Sequence, residues 1–177
     1  MGIQAGPDGH DRRVAELSMN IGRTLGAPAG QLDMLRRSGL VHDIGKLAIP
    51  QAILDKEGAL TEAEWRVMKT HPELGLSILG WTGRFAREML AVLYHHERMD
   101  GSGYPHGLAS AEIPIEARIV AVADTYDVLT SDRPYRHGFT PAEALRRVCD
   151  EAGPHLDPRV VDALVTTLTA RSYRYVA

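Results

Sequence analysis

The residues of this chain with the clearest chemistry are its imidazoles and a few carboxylates. They recur at the ends of apolar runs, where polar groups are least expected. His42 and Asp43 close the run in "LVHDIGK", His71 opens "HPELG", His95 and His96 end "AVLYHH", and Asp124 interrupts "RIVAVAD". Imidazole nitrogens and carboxylate oxygens are both ligands for divalent ions, and neighbouring donors at one helix end can share an ion. Each one alone has a plainer explanation, such as a capping or core hydrogen bond. Together, six N and O donors from four helix ends are costly to bury without a common partner. A metal centre supplies that partner. The set holds no thiolate, so it suits iron or manganese as well as zinc, nickel or cobalt. His106, His137 and His155 stand in loop-like contexts and are expected at the surface.

The paired histidines run into "ERMDGSGYP". Glycines at 101 and 103 allow close backbone approach. Tyr104 is placed either to contact a ligand or to anchor the loop. Glu97 and Asp100 are either acceptors that orient an imidazole or solvated loop charges. An irregular stretch from about 97 to 114 inside a compact domain is more often functional than not.

The elements that carry these residues are helices. Val14, Leu17, Ile21 and Leu25 step by three and four, and Leu32, Leu35 and Leu40 lead a second helix into "VHDIGK". "LTEAEW" is a capping box with Thr61 at the N-cap and Glu64 at N3. Pro72 sits at the start of the His71 helix. Thr140 and Pro141 open another helix, and Asp157 and Pro158 a last one. "RIVAVA" could be a strand, but with no other convincing strand it is assigned to a buried helix. The expected fold is all-α: a single compact domain over 1–177 with about seven helices and a core at about 10–170. Residues 1–9 and 171–177 are expected to be loose.

Composition bounds the function. The chain has 177 residues, of which 44% are hydrophobic and 24% charged, as in an ordinary globular protein. A net charge of −3 is too mild to steer DNA or a membrane surface to the chain. The single cysteine, Cys149, fits a reducing cytoplasm. No apolar run approaches the roughly 20 residues that span a bilayer.

"HDIGK", His71, "HHERMDGSGYP" and "RIVAVADTYDVLTSDRPYR" together resemble the HD-GYP domains, a branch of the HD metal-dependent phosphohydrolase superfamily. The resemblance runs from about His10 to Val161. It implies an all-α fold and hydrolysis of cyclic di-GMP to pGpG or GMP. The implied metal ligands are His42, Asp43, His71, His95, His96 and Asp124 around two divalent ions, with iron or manganese favoured and Asp43 as the bridge. It implies phosphate contacts from Lys46, Arg133 and Arg136, and a pocket bordered by Gly103, Tyr104 and Pro105. Asp43 and Lys46 are then the catalytic pair, acting with a hydroxide held between the ions that attacks phosphorus. In some family members a glutamate four residues before the "HxxRV" histidine binds a third ion. Here the motif is "HDRRV" from His10, but that position is Gly6, which argues against a third ion and leaves His10 as a ligand, a supporting group or neither. The alternatives are a phosphodiesterase for a cyclic GMP-AMP, or a non-catalytic adaptor that binds cyclic di-GMP or a diguanylate cyclase. Sensory domains are the usual companions of such domains.

Overall fold

A computed structural model describes residues 9–81, 85, 87–132 and 137–174. Among them are nine α-helices: α1 (His10–Thr24), α2 (Ala29–Val41), α3 (Gln51–Leu54), α4 (Glu62–Met68), α5 (His71–Gly80), α6 (Met89–Tyr94), α7 (Ile115–Thr130), α8 (Pro141–Asp150) and α9 (Pro158–Arg174). Seven have seven residues or more, which matches the expected number; α3 and α6 are shorter. Two 3₁₀ turns, Ile44–Ala48 and Ser110–Glu112, complete the regular structure. The described residues contain isolated β-bridges and no strand.

The "RIVAVA" stretch is helical because of its position. α7 packs against α1, α2, α6, α8 and α9. Ala117, Ile119, Val120, Ala121, Val122 and Ala123 are all buried on it. A helix covered on nearly every side needs a near-continuous apolar run. Val14, Leu17 and Ile21 of α1, Met34 and Leu35 of α2, and Val160, Val161 and Leu164 of α9 close the core around it.

The helix starts follow their capping residues. Thr61 accepts from the Glu64 N–H while the Glu64 carboxylate accepts from Thr61 N–H at 2.7 Å. Thr140 accepts from Glu143 N–H, and Asp157 from Arg159 N–H at 2.9 Å. One boundary differs from expectation. α9 continues to Arg174 rather than loosening after 170, because Arg171, Ser172 and Tyr173 bring no glycine or proline to end it.

Candidate metal centre

Three of the candidate histidines are aimed by their own backbone. His42 follows the last turn of α2, and its Nδ1 lies 2.8 Å from the Gly39 carbonyl. His95 follows α6 with Nδ1 2.8 Å from the Val92 carbonyl. His71 opens α5 with Nδ1 2.9 Å from the Met68 carbonyl at the end of α4. A carbonyl only accepts, so the proton is on Nδ1 and the Nε2 lone pair is free in each case. All three rings are almost wholly buried.

Those lone pairs converge on two carboxylates. His71 Nε2 and His95 Nε2 lie 3.5 Å apart, and they approach Asp43 Oδ1 at 3.3 and 3.8 Å. The His96 ring stands against them, its centroid 4.1 Å from that of His95 and 5.0 Å from that of His71. On the opposite side, His42 Nε2 is 3.4 Å from Asp43 Oδ2 and 3.8 Å from Asp124 Oδ1. His10 Nε2 is 3.3 Å from Asp124 Oδ1. Two donor groups result, Asp43/His71/His95/His96 and His10/His42/Asp124, each with its ligand atoms within 4.8 Å of one another. Asp43 faces both groups, one oxygen to each.

The donor set fits a divalent cation. His42 Nε2 and Asp43 Oδ1 are buried and have no hydrogen-bond partner. Buried lone pairs left unsatisfied cost about 1–3 kcal/mol each, and a bound ion would satisfy both. The electrostatics agree. Burial lowers the His71 pKa to about 4, with the neighbouring His95 working in the same direction against the attraction of Asp43. Burial, then His95, holds His96 well below the usual imidazole range. Both rings are therefore neutral and able to ligate at pH 7. Burial opposes ionisation of Asp43 and Asp124, but facing imidazoles outweigh it and keep both carboxyls well below the usual range. At His10, burial works against the charge, yet hydrogen bonds to Asp124 and Asp127 raise its pKa to about 9.

These shifts give the metal-depleted protein a stability optimum. His10, raised in the fold from 6.5 to about 9, contributes stability that is fully present below pH 6.5 and lost as pH rises towards 9. His71, lowered to about 4, contributes stability that is lost as pH falls from 6.5 towards 4. The thermal midpoint of chelator-treated protein, scanned from pH 4 to 9, is expected to peak near 6.5 and to fall by a few degrees on either side. A midpoint that rises steadily to pH 9 would contradict the environment described for His10.

The glycine-rich loop is held from inside. Glu97 is buried, and its carboxylate accepts the N–H groups of His106, Gly107 and Leu108 at 2.8, 3.1 and 3.0 Å. It is neither a solvated charge nor an orienter of an imidazole; it folds the loop. Asp100 accepts from Ser102 N–H and likewise serves the loop. A Cβ on Gly103 would lie 2.4 Å from Glu97 Cα, so this glycine admits the protein's own backbone. Tyr104 stacks on His96 with centroids 4.8 Å apart, and Pro105, half-buried, follows it in the chain. Lys46 Nζ lies 2.5 Å from Asp43 Oδ2. A cavity of about 180 Å³ opens beside the ligands, lined by His96, Arg98, Asp124, Thr125 and His155 among others. Arg133 and Arg136 lie outside the described residues, as does Gly6.

The structure adds residues that the motif pattern does not single out. Asp127 and Arg13 support His10; both lie in motif stretches, Arg13 in "HDRRV" and Asp127 in "ADTYD", but neither carries an assigned role there. His155 reaches the cavity instead of open solvent and pairs with Glu151.

A family model described as "HD domain" matches residues 4–160. The chain is 44% identical over 155 residues to the cyclic di-GMP phosphodiesterase response regulator RpfG of Xanthomonas campestris, covering 86% of this chain and 41% of that protein. It is 37% identical to 3′3′-cGAMP-specific phosphodiesterase 2 of Vibrio cholerae, covering 88% of this chain and 30% of that one. The chain thus spans less than half the length of these curated relatives. In fold it is similar to Bd1817, an HD-GYP-type protein from Bdellovibrio bacteriovorus, with a TM-score of 0.73 and 22% identity over 90% of this chain and 51% of that one. With the family model covering nearly all of it, and "HDIGK" and "HHERMDGSGYP" both supplying residues to the His/Asp groups, this chain belongs to the HD domain family.

Proposed function

We propose that the chain is a metal-dependent phosphodiesterase that opens cyclic di-GMP to pGpG and, on further cleavage, GMP. The observation that carries this reading is Asp43, whose two oxygens face two separate groups of buried imidazoles. Asp43, His71, His95 and His96 would hold one divalent ion. His42, Asp124 and His10, with the other Asp43 oxygen, would hold a second. The family resemblance favours iron or manganese, and with glycine at position 6 no third ion is proposed. Bound ions would supply Lewis-acid polarisation of a phosphoryl oxygen and a water that ionises near neutral pH.

The chain's own residues do the rest. Asp43 orients both ligand groups and, with Lys46, forms the catalytic pair. The Lys46 ammonium stands where phosphate charge would otherwise meet a carboxylate, and it neutralises that charge. Arg133 and Arg136, two and five residues after Ser131 at the end of α7, are assigned to the substrate phosphates on their sequence positions alone. Gly103, Tyr104 and Pro105 border the bound dinucleotide. Burial, reinforced by Asp43 and Asp124, raises the Tyr104 pKa, so its hydroxyl stays protonated and able to donate. The full ligand set in the described residues favours turnover over an adaptor role. Similarity to a cGAMP-specific enzyme supports the second substrate reading, a cyclic GMP-AMP. We place the domain in the cytoplasm, responding to a sensory domain or a diguanylate cyclase partner. Among the described residues no helix is long and apolar enough to cross a membrane.

Hydrolysis of cyclic di-GMP and of 3′3′-cGAMP, followed by product chromatography, tests the reading. Lys46→Ala is expected to raise KM by about 10–100-fold, the worth of a hydrogen bond to a charged group, with metal content unchanged. Metal-loaded protein that cleaves neither dinucleotide would overturn the proposal.

A further inference from the structure

His10 is supported differently from the other imidazoles of the cluster. His42, His71 and His95 each give their Nδ1 proton to a backbone carbonyl three residues earlier. His10 is the first residue of α1 and turns instead to a carboxylate on another helix. Its Nδ1 lies 2.7 Å from Asp127 Oδ2. Asp127 is only 4% exposed, an unusual place for a carboxylate unless it is fully engaged. It is engaged on both oxygens: Arg13 Nε donates to Oδ1 at 2.6 Å and Arg13 Nη2 to Oδ2 at 3.0 Å. Ser131 Oγ donates to Oδ2 at 3.2 Å and itself accepts from Arg13 Nη2 at 2.9 Å.

The spacing shows how the two helices make this joint. His10 and Arg13 are three apart on one face of α1; Asp124 and Asp127 are three apart on one face of α7. His10 therefore meets one carboxylate with each ring nitrogen, Asp124 on the ligand side and Asp127 on the support side. Arg13 returns from α1 to fix Asp127 in a two-pronged grip.

We propose that Asp127, gripped by Arg13, is the positioning residue for His10 and sets how tightly the ion held by His10, His42 and Asp124 binds. The inference rests on the two-ion reading above. It accounts for Arg13 of "HDRRV" and the second aspartate of "ADTYD". It also separates the two ion sites physically. Three imidazoles of the cluster are aimed by local turns, whereas His10 is aimed across the α1–α7 joint. A change at Asp127 should act on one ion and spare the other.

The test is a manganese titration of the metal-depleted full chain, counting bound and free Mn²⁺ by electron paramagnetic resonance. Wild type is expected to bind two ions. Asp127→Asn keeps a similar shape but loses the ionic grip, and it should weaken one ion by about 10–100-fold while leaving the other unchanged. His10→Ala should remove the same ion, and Asp127→Asn added to it should cost nothing more. Two ions of unaltered affinity in Asp127→Asn would overturn the proposal. So would equal weakening of both, or a further loss in the His10→Ala background, since each points to a merely structural role. Circular dichroism reports whether Asp127→Asn folds. If it does not, Arg13→Lys carries the test, because its side chain is 44% exposed and lysine keeps the charge without the two-pronged grip. The same one-sided loss, smaller in size, is expected there, and its absence would overturn the proposal. A wild-type chain that binds fewer than two ions would overturn the two-ion reading and this inference together.

Discussion

Asp43→Ala is expected to abolish cyclic dinucleotide hydrolysis while leaving the helical content of the chain intact. Among the described residues Asp43 is the one carboxylate with an oxygen towards each group of imidazoles: Oδ1 towards His71 and His95, Oδ2 towards His42. On the proposed two-ion reading, removing it would take a negative ligand from both ion sites at once and leave buried imidazoles facing each other at 3.5 Å. The Lewis-acid contribution of bound ions is worth several kcal/mol, and each 1.36 kcal/mol is tenfold in rate. A loss on the order of 10³-fold or more in kcat follows, with both ions depleted. The His42→Ala, Asp43→Ala double variant should be no more active. Hydrolysis persisting in that double variant would remove the basis for the ligand assignment.

Gly45→Ala is expected to be nearly as damaging, although Gly45 carries no chemistry. A Cβ at this position would lie 1.8 Å from the His71 carbonyl oxygen and 2.6 Å from Gly75 N. Both are backbone atoms, so no side chain can swing aside. Either the 3₁₀ turn Ile44–Ala48 or the first turn of α5 must move, and these carry Asp43 and His71, whose ligand atoms stand 3.3 Å apart. Overpacking of this kind costs about 1–3 kcal/mol and at times more, which for a domain of this size lowers the thermal midpoint by about 2–12 °C. Displacement of a ligand by about 1 Å can cost 10²-fold in rate. The variant should therefore lose stability, metal and turnover together. Wild-type stability and activity in Gly45→Ala would show that α5 does not depend on this close approach.

The glycine illustrates what was legible in the chain and what was not. Helix starts were legible because their signals are local: Thr61 with Glu64, Thr140 with Pro141, and Asp157 with Pro158 each act within one turn. The candidate ligands were legible because a polar residue stands out on an apolar face. His42 and His95 are buried as that contrast implies. The supports of the site were not legible, because they are contacts between distant segments. His10 and Asp127 are 117 residues apart and meet only when α1 packs on α7. Glu97 reads equally as an orienter of an imidazole or as a solvated loop charge, yet it folds the loop by accepting three backbone N–H groups that have no sequence mark. The steric need for glycine at 45 depends on α5 arriving beside it. The length of α6 was also hidden: the apolar stripe runs on to His96, but the helix ends at Tyr94, which frees the paired histidines to turn inwards.

The most direct test of the central claim is the metal content of anaerobically purified protein, measured on the same sample as its turnover of cyclic di-GMP, before and after chelation. Two divalent ions per chain, pGpG or GMP as product, and loss of both ions and turnover on chelation, restored by iron or manganese, are expected. Turnover that survives complete removal of metal would contradict it.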